Sequence, residues 1–250
     1  PKGHASNWSS GFLPGVYQGT ALNTQGAPID NLSPSNGMST AHQRQQLDYL
    51  SQLNKAHLEM HQNNAELAAR MESFELAFRM QMAAPEAFDL SRESSATHAM
   101  YGTNNPRCAH VAKQTLAARR LVERGVRFIQ IYSGGMENER SWDGHSDIES
   151  NHRQFAGETD QPVAALLSDL KNRGLLDSTL VIWGGEFGRL PVAQRSKGNQ
   201  AKGRDHNPHA FTVWMAGGGS KGGVHHGSTD PFGHKAENDK VSINDFHATL

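Results

Sequence analysis

Residues 175–189, LLDSTLVIWGGEFGR, constrain the fold more than any other stretch of the chain. The run 179–183 is short and apolar, and glycine brackets it at Gly174 and again at Gly184 and Gly185. Such a run suits a strand covered on both faces. A helical pattern leads into it, with Val163, Leu166, Leu167 and Leu170 on one face, Pro162 in its first turn and Thr159 or Asp160 as its cap. Before that helix, residues 126–132, VRFIQIY, read as a second strand, and residues 211–216, FTVWMA, as a third. A capped helix between two apolar strands makes a βαβ unit, which favours a parallel, right-handed connection. The expected fold class is therefore α/β: a layered, mostly parallel sheet flanked by helices, with strands near 126–132, 179–184 and 211–216 in one sheet.

The first hundred residues follow another pattern. Residues 1–40 are rich in Gly, Pro, Ser and Asn, with Trp8, Phe12 and Tyr17 as aromatic punctuation. A helix is expected over about 41–62, striped by Leu47, Leu50, Leu53 and Leu58. A second is expected over about 65–82, where Leu67, Met71, Phe74, Phe78 and Met82 recur at spacings of three and four before Pro85 stops it. That methionine and phenylalanine stripe reads as a packing face rather than a cofactor box. A polar break at 101–106 and a helix near 107–124 then open the α/β part. The organisation expected is a loop-rich and helical part over 1–104, packed on an α/β core over 105–250 that forms the C-terminal half of a larger domain.

Composition excludes several classes. With 24 basic and 25 acidic residues and no basic block, nucleic acid is not an expected partner. No window approaches eighteen uninterrupted apolar residues, so no transmembrane segment is expected. The one cysteine, Cys108, rules out an internal disulfide framework and any CxxC metal knuckle. Both ends read as cut: Pro1 stands where a start methionine would, and 241–250 stops in the opening turn of a helix-like segment.

Chemistry in a parallel α/β sheet collects in loops at the C-terminal ends of strands. Here those loops carry SGG at 133–135, SWDGH at 141–145, GGEFGR at 184–189 and GRDHNPH at 203–209. Taken together they offer Asp143, His145, Glu186, Asp205, His206 and His209 from three separate connections. Carboxylate and imidazole ligands gathered in this way suit Zn²⁺ or a similar divalent ion, with Ca²⁺, Mg²⁺ and Mn²⁺ as alternatives. Taken singly, Asp143 and His145 are also an ordinary loop hydrogen-bonding pair, Glu186 a helix cap or a partner of Arg189, and Asp205 with His206 a turn former. Arg189 and Arg204 either hold an anionic group by forked hydrogen bonds or are surface charge. The run 217–223, GGGSKGG, lacks the Walker spacing and reads as a loop, and no Gly-x-Ser-x-Gly elbow is present.

The segments 175–189, 203–208, 216–223 (AGGGSKGG) and 245–249 (DFHAT) resemble the bacterial domain-of-unknown-function 1501 family. The likeness extends to WSSGFLP at 8–14, ELAAR at 66–70, Tyr101 with Gly102, and RRLVERGVRF at 119–128, so it covers nearly the whole chain. The resemblance implies an alkaline phosphatase and sulfatase-like fold, in which a strand of the type LLDxTLVI delivers an Asp-His pair to metals. Glu186 and Phe187 occupy those two positions here. Asp143, Gly144 and His145 resemble the superfamily's preceding metal motif, two residues shorter, and His206 its later histidine ligand. The superfamily's first metal aspartate and its nucleophile would precede residue 1, so the catalytic nucleophile is unknown and this chain by itself is expected to be inactive. A twin-arginine export signal is common in the family, which implies a periplasmic or exported protein.

Two functional expectations follow. One is a metal-dependent hydrolase of sulfate or phosphate esters, with Asp143, His145, Glu186 and His206 as ligands, Arg189 and Arg204 on the anion, and an anionic ester or sulfated glycan as substrate. The other is a catalytically silent protein that binds an anionic glycan or a cell-surface partner in the same cleft. Phe187 in place of a ligand favours the second, and the density of acidic and histidine residues at strand ends favours the first.

Overall fold

The computed structural model describes residues 13, 17, 19–23, 29, 37–60, 65–134, 142–185, 187–194 and 202–250. The chain divides into two compact units, Pro1–Ser94 and Ser95–Leu250. Among the described residues no helix is long and apolar enough to cross a membrane.

In the first unit, α1 (Thr40–Met60) and α2 (Ala65–Phe88) form an antiparallel pair. The register is set by polar contacts near the start of α1. Gln43 donates to Gln81 at 2.8 Å, and Arg44 pairs with Glu75 at 2.7 Å while its guanidinium lies over the Phe78 ring. The apolar stripes are only partly used. Leu47, Leu58, Leu67, Met71 and Phe78 are half-buried, whereas Leu50, Leu53, Phe74 and Met82 are exposed. Pro85 does not stop α2, which continues through Phe88. The ring removes one i→i−4 bond, but Ala84 and Ala87 are buried on the turn that contains it.

The second unit opens with three helices, α3 (Ser95–Tyr101), α4 (Ala109–Glu123) and α5 (Ile148–Asn172). The polar stretch 101–106 lies within this unit, joining α3 to α4. Tyr101, Val111, Ala112, Leu116, Phe155, Ala165, Leu166 and Leu170 supply its apolar core. Inside that core sits an ion-pair knot. Asp169 accepts from the Tyr101 hydroxyl at 3.0 Å and pairs with Arg119 at 3.0 Å and Arg173 at 2.7 Å. Glu123 pairs with the same two arginines, at 2.7 and 2.6 Å. Arg119, one of the largest fully buried side chains, is thus held between two carboxylates, as a buried cation must be.

After α5 the chain turns at Gly174, where φ is +69°, passes through one 3₁₀ turn at Leu176–Ser178 and enters β1 (Val181–Trp183). The remaining elements are β2 (Gly188–Arg189), β3 (His206–Asn207), β4 (Trp214–Ala216), β5 (Ser228–Thr229), β6 (Ala236–Asn238) and α6 (Ile243–Thr249). They pair as three two-stranded antiparallel ladders, β1 with β4, β2 with β3 and β5 with β6. The β1–β4 register places Ile182 opposite Met215 and Trp183 opposite Trp214. Two of the three expected strands are therefore neighbours, running antiparallel. Among the described residues no helix separates them in sequence, and a parallel pair needs a long crossover. Residues 126–132 are not in a strand, and Val126 and Phe128 are exposed. The helix expected to begin at Thr159 or Asp160 instead begins at Ile148, and Pro162 lies buried in its interior. Asp147, at φ 44°, is the true cap, accepting from the Ser150 amide at 3.4 Å.

Candidate metal centre

The site is assembled where three stretches of the second unit meet. The first is the entry to α5. Trp142 is anchored there by its indole N–H, which donates to Ser133 at 3.2 Å, and by ring contacts with His152, Phe155 and Trp183. Two tight backbone bonds follow, Gly144 to the Trp142 carbonyl and His145 to the Asp143 carbonyl, each 2.9 Å. They curl the chain so that Asp143 and His145 face one point.

The second stretch, residues 202–204, is laid along the first. Ser146 bridges Lys202, and the Arg204 amide donates to the Gly144 carbonyl at 3.0 Å. This approach requires glycine at 203, because a Cβ there would fall on the His145 carbonyl group. His206 then enters β3, directly opposite Arg189 of β2. Gly188 plays the same part on the third stretch, since a Cβ on it would overlap the Ala210 carbonyl oxygen.

The outcome is a cluster of Asp143, His145 and His206, whose ligand atoms all lie within 4.8 Å of one another. His145 Nε2 is 2.9 Å and His206 Nε2 3.3 Å from Asp143 Oδ1. The two Nε2 atoms are 3.1 Å apart, with the rings at 66°. Ligand bonds of 2.0–2.2 Å in a tetrahedral zinc site put ligand atoms roughly 3.4 Å apart. All three separations lie a few tenths of an ångström below that spacing, so a small outward shift lets the donor set hold a small divalent ion. Chemistry points the same way: a carboxylate oxygen and two imidazole nitrogens converging without a cation or proton between them would repel.

Arg189 supplies part of that compensation. Its guanidinium is 2.5 Å from Asp143 Oδ1 and also donates to the Arg204 carbonyl at 3.0 Å and the Trp142 carbonyl at 3.4 Å. Burial pushes the Asp143 carboxyl up, but the Arg189 hydrogen bond, with the charges of His145, Arg189 and His206, outweighs it and holds the group below its ordinary range. Asp143 is therefore ionised throughout the neutral range, as a ligand must be.

Of the residues singled out from sequence, Asp143, His145, His206 and Arg189 are brought together. Glu186 lies outside the described residues. Arg204 contributes its backbone, while its guanidinium reaches the Leu190 carbonyl at 3.4 Å and the side chain stays exposed. Phe187 packs T-shaped against His206 with ring centroids 5.7 Å apart. Gln194 was not foreseen: its amide oxygen is 2.8 Å from His145 Nδ1. Beside the same loop, Trp183, Gly184, Gly185 and Trp214 line a shallow recess of about 230 Å³.

No curated protein and no solved structure is significantly similar to the chain. A family model does match, over residues 1–250, and its description is a protein of unknown function, DUF1501. The chain belongs to the DUF1501 family.

Proposed function

We propose that Asp143, His145 and His206 bind a divalent ion, best suited to Zn²⁺, as the centre of a sulfatase-like hydrolase of sulfate or phosphate esters. The convergence of their ligand atoms within 4.8 Å carries the reading. Three protein ligands from two imidazoles and one carboxylate match the donor count of catalytic rather than structural zinc sites, which keep one position open. When bound, such an ion polarises an ester oxygen or lowers the pKa of a bound water.

The chain's own residues do the rest. Asp143 and the two neutral imidazoles leave a +1 charge on a divalent centre, which favours an anionic ester. Arg189, already beside Asp143, adds a second positive group at the same opening, and the exposed Arg204 stands two residues before His206 in the sequence. The recess between Trp183 and Trp214 offers aromatic faces to an apolar or sugar-like part of the substrate, which supports a sulfated glycan as the substrate class. The fold proposed around this centre is a layered α/β sheet at whose strand ends the ligands sit. The run at 126–132 supports it by its strand composition, with Val126 and Phe128 exposed. Export to the periplasm is proposed from the family likeness.

A second reading is favoured by one observation. Phe187 lies against His206 where a further ligand would stand, and a protein that binds an anionic glycan without turning it over needs no complete metal shell.

Metal analysis separates these. The purified protein, dialysed against Zn²⁺, should retain about one equivalent per chain. Asp143→Ala and His206→Ala should each weaken binding by more than about a hundredfold, beyond the cost of losing a residue that only orients a ligand. His209→Ala, outside the cluster, should leave it unchanged. Equal metal content in all four proteins would reject the assignment. Turnover of an aryl sulfate or phosphate by the loaded protein, lost in His206→Ala, would support the hydrolase over the silent binder.

A further inference from the structure

We infer that Gln194 is the positioning residue that fixes the tautomer of His145 and so presents Nε2 to the centre; this rests on the metal reading above. An imidazole has two nitrogens, and which one ligates is decided by the hydrogen bond that the other makes. At His145 the division is clear from geometry. Nε2 faces Asp143 at 2.9 Å and His206 at 3.1 Å, while Nδ1 lies 2.8 Å from Gln194 Oε1. A carbonyl oxygen only accepts. With an ion held at Nε2, Nδ1 therefore carries the proton; without one, Asp143 Oδ1, 2.9 Å away, competes for a proton on Nε2. Asp205 Oδ1, 3.7 Å from Nδ1, is beyond hydrogen-bonding reach.

Gln194 is also built into the site rather than laid against it. Its backbone amide donates to the Gly203 carbonyl at 2.9 Å. Gly203 in turn approaches the His145 backbone so closely that only glycine fits. Gln194, Gly203 and His145 thus form a closed set of contacts, in which the main chain fixes the distance that the side-chain bond spans. The 49 residues separating Gln194 from His145 do not loosen the bond, because Gly203 holds both ends.

The choice of an amide has a chemical consequence. A carboxylate at 194 would also accept from Nδ1, but it would add a negative charge beside the ion. A neutral acceptor orients His145 without adding to the negative charge that Asp205 already places 3.7 Å from Nδ1.

Two substitutions divide orientation from packing. Gln194→Leu keeps the size and removes the acceptor; Gln194→Glu keeps the acceptor. The dissociation constant for Zn²⁺ is measured by competition with a chromophoric chelator, and the visible bands of the Co²⁺-loaded protein report ligand geometry. Gln194→Leu should bind Zn²⁺ about 10–100-fold more weakly, with altered Co²⁺ bands, and Gln194→Glu should stay within about threefold of the parent. The metal-free protein gives an independent readout. The ¹⁵N shifts of His145 at mildly alkaline pH should show a larger share of the Nδ1–H tautomer in the parent and in Gln194→Glu than in Gln194→Leu, where Asp143 draws the proton to Nε2. Equal affinity in the parent and Gln194→Leu, or equal loss in both variants, would overturn the inference. A parent that shows the Nδ1–H tautomer yet binds no metal would overturn the metal reading alone.

Discussion

Phe187 packs T-shaped against His206 and is about half exposed, at 49 %. An imidazole in its place would put a ring nitrogen beside the existing ligands without disturbing a packed core. Phe187→His is therefore expected to tighten Zn²⁺ binding by about tenfold, or roughly 1.4 kcal/mol, read by the same chelator competition. No change, or weaker binding, would show that the side chain at 187 points away from the centre. Residue type and spacing were enough to find Asp143, His145 and His206, because carboxylates and histidines placed at chain reversals are few and chemically specific. They were enough to find Arg189 but not its partner: Asp143 and Arg189 are 46 residues apart, and only the docking of β2 and β3 against the α5 entry joins them. Gln194 carried no such signal. A lone glutamine in a loop looks like any solvated polar residue until Gly203 brings it to His145.

At the scale of elements, helix α4 and the strands β1 and β4 were legible from apolar period and bracketing glycines, and α6 from its terminal pattern. The start of α5 was not. Pro162 and Thr159 suggested a first turn, yet Asp147 caps the helix fifteen residues earlier than Pro162, in a left-handed conformation that sequence does not announce. The run 126–132 has strand composition, but a strand also needs a neighbouring edge, and none is paired to it among the described residues. The packing of α3, α4 and α5 around Asp169 makes its own prediction. Burial raises the Tyr101 hydroxyl pKa above its ordinary value, and the Asp169 charge adds to this, with Arg119 opposing. A group raised in the folded state contributes its full stability below its unfolded pKa, about 10 for tyrosine, and loses it as pH climbs from there towards the folded value. Tyr101→Phe should cost about 1–2 kcal/mol at neutral pH through the lost bond to Asp169. The gap to the parent should narrow above about pH 10. Urea unfolding at the two pH values checks this, and a gap that widened with pH would reverse the assigned direction.

Over the whole molecule, Asp143, His145 and His206 all lie in the unit Ser95–Leu250. Zn²⁺ at about a hundred times its dissociation constant should stabilise the second unit by about 2.7 kcal/mol. Calorimetry should show that unit's transition move up while the signal from α1 and α2 stays in place. His206→Ala should abolish the increment. A shift of both transitions by the same amount would mean that the two units unfold as one. The division itself was visible only as a change of pattern, from leucine and methionine stripes to alternating helix and strand, and the sequence put it at 104 where the contacts place it after Ser94. One arrangement in the second unit has an optical consequence. Trp142, Trp183 and Trp214 follow one another at 6.0 and 5.9 Å between ring centroids. Excitation absorbed by any of the three hops among them, so their emission is depolarised. Trp142 is covalently next to Asp143, so an open-shell ion such as Co²⁺ bound there drains the luminescence of the whole row, whereas filled-shell Zn²⁺ leaves it lit.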